Sequence, residues 1–238
     1  MTKEVKRILK GKKLTEPSEK LIKSKLRVQK HGEVFTPSWM VEKMLNVPGI
    51  KECTENIDAT FLEPAMGDGN FVEAILLKKL STLKATDHSW DTYALRALSS
   101  LYGIELLEDN LEEARTRILS RMNLEYDKIF QKPCSKQSNY YKSSKLIIQT
   151  NLRQGNTLQR CNKYGEEIVF SQWRRVKGTR AKVERIPFSY SSLFEENVPE
   201  TVDLFDNEGQ INLFEDEIGQ AKKYKVCDID QVWKEEME

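Results

Sequence analysis

Phe61-Leu62-Glu63-Pro64-Ala65-Met66-Gly67-Asp68-Gly69-Asn70-Phe71 is the stretch whose reading decides the fold. The apolar run from Ala59 to Leu62 turns through Gly67-x-Gly69 into apolar positions at helical spacing, Phe71, Ala74, Ile75 and Leu80. This pattern predicts a strand, a tight loop and a helix. Such a loop suits a cofactor, because glycines let the backbone take φ > 0 and approach a ligand, and the helix behind it presents unpaired N–H groups. A Gly-x-Gly is equally at home as plain punctuation between a strand and a helix, and the third glycine of a dinucleotide fingerprint is missing. What strengthens the cofactor reading is the next strand of the chain.

Leu101-Tyr102-Gly103-Ile104-Glu105-Leu106-Leu107 reads as a second strand ending in an acid. In that layout a carboxylate accepts from both ribose hydroxyls of a nucleoside cofactor; the plainer reading of Glu105 is a surface acid at a strand end. Asp109-x-x-Glu112 resembles a capping box, with Asp in place of Ser or Thr, opening a helix with Leu111, Ala114, Ile118, Leu119 and Met122 on its apolar face.

In these residues the chain resembles the S-adenosylmethionine (SAM) dependent amino-methyltransferases of restriction-modification systems, the N6-adenine DNA methyltransferase family. Phe61 to Phe71 looks like the family's cofactor loop, Gly32-Glu33-Val34-Phe35-Thr36-Pro37 like its upstream cofactor motif, and Tyr102 to Glu105 like its ribose-binding strand. Gln154-Gly155-Asn156-Thr157-Leu158 looks like its third motif, with Asn156 where an Asp commonly contacts the adenine amine. The four segments come in the family's order and span residues 28 to 158. The resemblance implies a cofactor site of Phe35, Thr36, Pro37, Glu63, Pro64, Ala65, Gly67, Asp68, Gly69, Phe71, Glu105 and Asn156, with Phe35, Thr36 and Pro37 flanking the methionine end of SAM. It further implies DNA as a partner.

Around this core the near-zero net charge, +1, hides segregation. Residues 1–30 form a basic arm, with Lys3, Lys6, Arg7, Lys10, Lys12, Lys13, Lys20, Lys23, Lys25, Arg27 and Lys30 against Glu4, Glu16 and Glu19. Such an arm suits a phosphate backbone or is a solvated extension, and no aromatic is interleaved to stack on bases. Thr36 and Pro37 read as N-cap and first residue of a helix carrying Met40, Val41, Met44 and Leu45 on one face. Another helical pattern lies between Trp90 and Leu101; residues 131–145, rich in Ser with Pro133, read as a loop, and Lys145 to Thr150 as a third strand. No apolar run is long enough for a membrane span and no signal-peptide core is visible, so a cytoplasmic protein is expected. Cys53, Cys134, Cys161 and Cys227 are far apart without a neighbouring His pair, which argues for reduced thiols and against a metal. His31 and His88 are the only histidines, and His31 beside Gly32 reads as part of a turn.

After Leu158 the resemblance breaks. An N6-adenine methyltransferase carries an Asn/Asp-Pro-Pro-aromatic loop, whose oxygens accept from the target amine and whose ring stacks on the flipped base. No such tetrapeptide occurs here. The nearest equivalent is Gln172-Trp173, an oxygen and a ring without the rigid prolines; the competing reading makes residues 158–173 a hairpin turned at Asn162-Lys163-Tyr164-Gly165, with Val183 to Tyr190 as a third strand. Arg174, Arg175, Lys177, Arg180, Lys182 and Arg185 form a second basic cluster, set either against nucleic acid or in solvent. Glu195 to Ile218 is acidic, without Lys or Arg, and reads as a tail punctuated by Leu-Phe pairs. Gln210-Ile211-Asn212-Leu213-Phe214 resembles the peptide by which bacterial DNA-processing proteins dock on the sliding clamp, with Gln210, Leu213 and Phe214 as anchors; docking on the protein's own core is the alternative.

The expected fold is therefore α/β: a truncated, Rossmann-like SAM-methyltransferase sheet with helices on both faces, a helical N-terminal arm and an irregular, β-containing C-terminal part. The expected divisions are a basic arm over 1–30, a SAM-binding domain over 31–158, a basic hairpin-like extension over 159–194 and an acidic tail over 195–238. Two functions remain open. One is a SAM-dependent adenine DNA methyltransferase, degenerate at its acceptor loop. The other is a non-catalytic SAM- or DNA-binding accessory derived from one, with a partner protein supplying target recognition.

Overall fold

The computed structural model describes residues 21–84, 89–194 and 224–237. The Gln210, Leu213 and Phe214 motif, His88 and most of the basic arm lie outside these residues. The chain divides into two units, residues 1–37 and 38–238. In the first, helix α1 (Lys25–His31) starts at Ser24, whose Oγ accepts from the Arg27 N–H at 3.2 Å. It ends at Gly32, whose φ of 64° takes the left-handed conformation that closes a helix, with His31 in the last turn. Arg27 pairs with Glu33 at 2.5 Å, and the Phe35 N–H donates to the Leu21 carbonyl.

The second unit is built on a parallel sheet of β1 (Phe61–Glu63), β2 (Leu101–Glu105) and β3 (Leu152–Gln154), side by side in chain order. Phe61 pairs with Leu101 and Gly103 with Leu152. Ahead of β1 come α2 (Ser38–Leu45) and α3 (Ile50–Glu55). The crossover from β1 to β2 holds α4 (Asn70–Ser81) and α5 (Trp90–Ser99); that from β2 to β3 holds α6 (Glu108–Phe130) and α7 (Asn139–Asn151). Right-handed crossovers that advance in one direction place all their helices on one face of a sheet. The core agrees: Leu101 and Leu152 join the helical core with Ile75, Leu95, Ile118 and Ile147, whereas Tyr102 and Ile104, which point the other way, do not.

Among the described residues the other face carries no helix of the doubly wound kind expected from sequence. It is covered by an antiparallel sheet of β4 (Val169–Arg175), β5 (Lys182–Ser189) and β6 (Cys227–Asp228). Phe170 and Phe188 pack their rings 5.4 and 6.0 Å from that of Tyr102, whose buried hydroxyl donates to the Ser171 carbonyl at 2.9 Å. Two 3-10 turns, Tyr190–Phe194 and Ile229–Lys234, complete the unit.

Three sequence expectations change. The segment expected as a loop and a strand is helix α7, capped by Ser138, whose Oγ accepts from the Tyr141 N–H. Its buried positions, Tyr140, Ser143, Ser144, Ile147, Ile148 and Asn151, follow helical spacing, so the serines are small residues at a tight helix contact and not loop formers. The turn at Asn162 to Gly165 is present, with the Gly165 N–H donating to the Asn162 carbonyl, but it closes only isolated bridges. The true hairpin is one segment later, Val169 to Ser189. Finally, α6 has Leu107 at its N-cap without a side-chain bond, so Asp109 lies inside the first turn instead of capping it.

At the amino ends of β1 and β2 sits a lysine that nothing in the sequence announces. Lys79 is fully buried, and its Nζ donates to the carbonyls of Asn56 (2.9 Å), Ile57 (3.2 Å) and Ala59 (2.5 Å) and to Ser100 Oγ (2.8 Å). Beside it, Asp58 accepts from Arg96 at 2.6 Å and from Arg175 at 2.9 Å. This cluster ties α4, α5 and β4 to the floor of the sheet, leaving the carboxyl ends of the strands as the place for a site.

Candidate functional site

At the carboxyl end of β1 the chain turns through the glycine loop. Gly67 and Gly69 have φ of 56° and 90°, values that disfavour any residue with a Cβ. Gly69 has a second constraint, since a Cβ there would lie 3.0 Å from the Cβ of Ala114 on α6. The loop is fastened to the neighbouring strand twice: the Met66 N–H donates to the Ile104 carbonyl at 3.0 Å, and the Met66 side chain lies over Gly103, where a Cβ would be 2.4 Å from its sulfur. Behind the loop, α4 begins at Gly69 without a side-chain cap.

Glu105 ends β2 and reaches back to this loop. Its Oε2 accepts from the Gly67 N–H at 2.9 Å, and its Oε1 from the Leu107 N–H at 3.0 Å and from Asn110 Nδ2 at 3.2 Å. Glu105 is 7% exposed. A carboxylate offers about four acceptor positions, and three are taken here. One is left, room for a single further donor where the sequence reading expected two ribose hydroxyls.

The third segment meets the first two. The Gly155 N–H donates to the Glu105 carbonyl at 3.0 Å, and Thr157 Oγ1 donates to the Pro64 carbonyl. Asn156 is held in an Asx turn, its Oδ1 accepting from the N–H groups of Leu158 and Gln159 at 3.0 and 3.1 Å. Both lone pairs of that oxygen are committed, which leaves the side chain a donor toward any ligand. Glu63, Pro64 and Ala65 form the lip of the loop. Burial raises the Glu63 carboxyl above its ordinary value, opposed by the Ala65 N–H at 3.3 Å, and no basic side chain pairs with it among the described residues.

Asp68 does a different job. Its carboxylate pairs with Arg117 of α6 at 2.7 Å, while Arg117 also donates to Asn70 Oδ1. Glu73 extends the network to Arg121 at 2.8 Å. Phe71 is half-buried against the core. Phe35, Thr36 and Pro37 belong to the N-terminal unit, and their part in a site remains what the resemblance implies.

Gln172 and Trp173 are not at this site. The Trp173 indole is buried and donates to Asn151 Oδ1 at 3.1 Å, while Asn151 Nδ2 donates to the carbonyls of Ser99 and Leu101. That is the amino end of β2, four residue steps or about 13 Å from Glu105. A ring so enclosed has no face to offer a base, and Gln172 is its neighbour on the same strand. Half of the second basic cluster is paired with acids: Arg174 with Glu184, Arg175 with Asp58 and Arg185 with Glu235 at 2.6–2.9 Å.

Three contributors escaped the sequence reading. Leu106, 45% exposed, follows Glu105 at the strand end and presents an apolar side chain beside the carboxylate. Thr157 and Arg117 fix the loop. The signal for Leu106 was its place next to the acid; for Arg117 none existed, since a charged residue on a long helix reads as solvated.

No protein-family model, no curated protein and no solved structure matches the chain. Among the described residues no helix is long and apolar enough to cross a membrane, and no cluster of His, Cys, Asp and Glu is arranged to hold a metal. The four cysteines are free thiols.

Proposed function

We propose that the chain binds SAM at the carboxyl ends of β1 and β2 and is the cofactor-holding part of a methyltransferase of the restriction-modification type, acting on adenine in DNA. The observation that carries this reading is the bond from the Gly67 N–H to Glu105, which joins the glycine loop to the acid at the end of the next strand. Three of the four segments that resemble the family are linked by direct hydrogen bonds, Gly67 to Glu105, Gly155 to Glu105 and Thr157 to Pro64.

The residues present fit the cofactor with one departure. Glu105 has an acceptor position for a ribose hydroxyl, Leu106 an apolar surface for the adenine, and Glu63 a carboxylate free of basic partners among the described residues for the cationic amino acid end. The departure is Asn156, whose oxygen is consumed by its own turn. SAM when bound supplies a methyl group on a sulfonium, ready for transfer to a nucleophile. The chain's own residues orient it: glycine backbone approaches it closely, and Arg117 and Thr157 keep the loop in place. An acceptor base needs a second set of groups, and none is formed by Gln172 and Trp173.

The second reading, a SAM-binding accessory without transferase activity of its own, is favoured by the burial of Trp173 and the absence of the Asn/Asp-Pro-Pro-aromatic loop from residues 1–238. Incubation with SAM carrying a radiolabelled methyl group, with and without adenine-containing DNA, separates the two. The expected result is label retained by the protein at equilibrium dialysis and little or none in the DNA. Retention by neither removes the cofactor reading, and robust labelling of adenine removes the accessory reading.

A further inference from the structure

A nucleoside with its ribose on Glu105 has its base beyond the end of β2, over Leu106 and beside the segment that leaves β3. That segment is fixed by its own bonds. The Gly155 N–H donates to the Glu105 carbonyl at 3.0 Å, and Gln154 Nε2 donates to the Leu106 carbonyl at 2.9 Å. The Asn156 N–H donates to the Cys161 carbonyl at 2.8 Å, which folds the chain between them back on itself, and Thr157 ties that fold to Pro64 on the lip of the glycine loop. The chain from Gln154 to Cys161 therefore walls the side of the site where the edge of a base lies.

The wall is short of free acceptors. Asn156 Oδ1 takes two backbone N–H groups, and Asn162 Oδ1 takes two more, from Tyr164 at 2.8 Å and Glu166 at 3.0 Å. Gln154 Oε1 takes the Lys163 N–H at 3.0 Å. The Cys161 and Pro64 carbonyls already accept from Asn156 and Thr157, and the one position left on Glu105 belongs to the ribose. What the wall does offer is a donor. Asn156 is half-buried, and its Nδ2, which the planar amide turns away from the N–H groups bound to its oxygen, has no hydrogen-bond partner among the described residues.

The edge of adenine shows an amine donor beside a ring-nitrogen acceptor. A carboxylate in the wall reads the amine and rejects a purine that carries an oxo group there, because two acceptors then face each other. An amide N–H reads an acceptor, which the ring nitrogen of adenine and the oxo group of hypoxanthine both supply. We infer that Asn156 sets the base preference of this site, and that the site takes the nucleoside of a 6-oxopurine as readily as that of adenine. The inference rests on the reading of the glycine loop as a SAM site and adds to it which purines that site accepts. Ribose and amino acid end are the same in both ligands, so Glu105, Glu63 and the loop meet them alike.

Calorimetric titration of S-adenosylhomocysteine and S-inosylhomocysteine into the full chain compares two thioethers that differ at that edge of the base. In the wild type the two affinities should agree within about threefold, less than the worth of one hydrogen bond. Asn156→Asp keeps one oxygen for the turn and offers a second to the base, so it should favour the adenosyl compound by about tenfold or more. Asn156→Ser keeps a hydroxyl for the turn and removes the amide, so it should weaken both compounds by about threefold to tenfold and leave their ratio unchanged. A wild-type preference for the adenosyl compound beyond the expected range, a ratio that Asn156→Asp leaves unchanged, or wild-type affinities in Asn156→Ser would each overturn the inference and leave the SAM reading standing. Binding of neither compound, with no SAM bound by the same samples, would sink the SAM reading and this inference with it.

Discussion

Replacing Lys79 by Met tests whether the floor of the sheet is held by one buried ammonium. Met matches the aliphatic stem and removes the charge, so what changes is the bonding at Nζ. Three carbonyls, of Asn56, Ile57 and Ala59, and the Ser100 hydroxyl lose their donor. Removing one partner from a buried charged cluster costs about 3–5 kcal/mol, and release of the buried charge offsets part of that, for a net loss of about 3 kcal/mol. Urea unfolding at pH 7 should show a lower midpoint with an unchanged slope. The same lysine has a pH signature. Burial pushes its pKa down from 10.5 to about 7, with Asp58 and Cys53 opposing. Between those values the unfolded chain binds the proton and the folded chain releases it, so this group's contribution to stability increases as pH rises from about 7 to 10.5. Below about 7 both states are protonated and the whole penalty of the buried charge is present. The increase has a ceiling of about 5 kcal/mol, and the four acceptors around Nζ, which hold the proton on, reduce it. The wild-type minus Lys79→Met difference should therefore grow with pH across this window. A difference below about 0.5 kcal/mol at pH 7, the range of an ordinary surface substitution, would refute the role assigned to the cluster.

Trp173→Phe keeps an aromatic side chain but removes the bond to Asn151 and part of the buried indole, so it should lower stability by about 1–2 kcal/mol or somewhat more while leaving SAM affinity unchanged; loss of SAM binding without loss of stability would return Trp173 to the site. Gly69→Ala forces a Cβ into a left-handed backbone and against Ala114, and should destabilise by about 2 kcal/mol in thermal unfolding while weakening SAM binding. Arg117→Ala leaves Asp68 and Asn70 without their shared partner, and amide exchange at residues 67–70 should accelerate relative to the rest of the sheet.

The strand, glycine loop and helix from Phe61 to Leu80 were legible because strand and helix periodicities change sharply at Gly67 and Gly69. The acid at the end of β2 was legible for the same reason. Helix α7 was not: Ser143 and Ser144 carry the composition of a loop, and only the packing around Tyr140 and Ile147 reveals them as spacers. The covering of one sheet face by β4 and β5 was hidden because strand alternation fixes which residues share a face but not what that face meets. Buried polar groups were least legible of all. Lys79 has the spacing of any solvated helix residue, and its partners are mostly backbone carbonyls, which leave no trace in side-chain pattern. At the site, Glu105 was placed by its position in the strand, but its bonds to Leu107 and Asn110 come from local turn geometry and reduced what it has left for a ligand.

Calorimetric titration of SAM into the full chain tests the central claim most directly, with Glu105→Gln and Trp173→Phe measured alongside. A saturable site is expected in the wild type, unchanged in Trp173→Phe. In Glu105→Gln the expected loss is about tenfold to a hundredfold, the worth of one hydrogen bond to a charged acceptor. No heat of binding in the wild type, or equal affinity in Glu105→Gln, would contradict the assignment of this site to SAM.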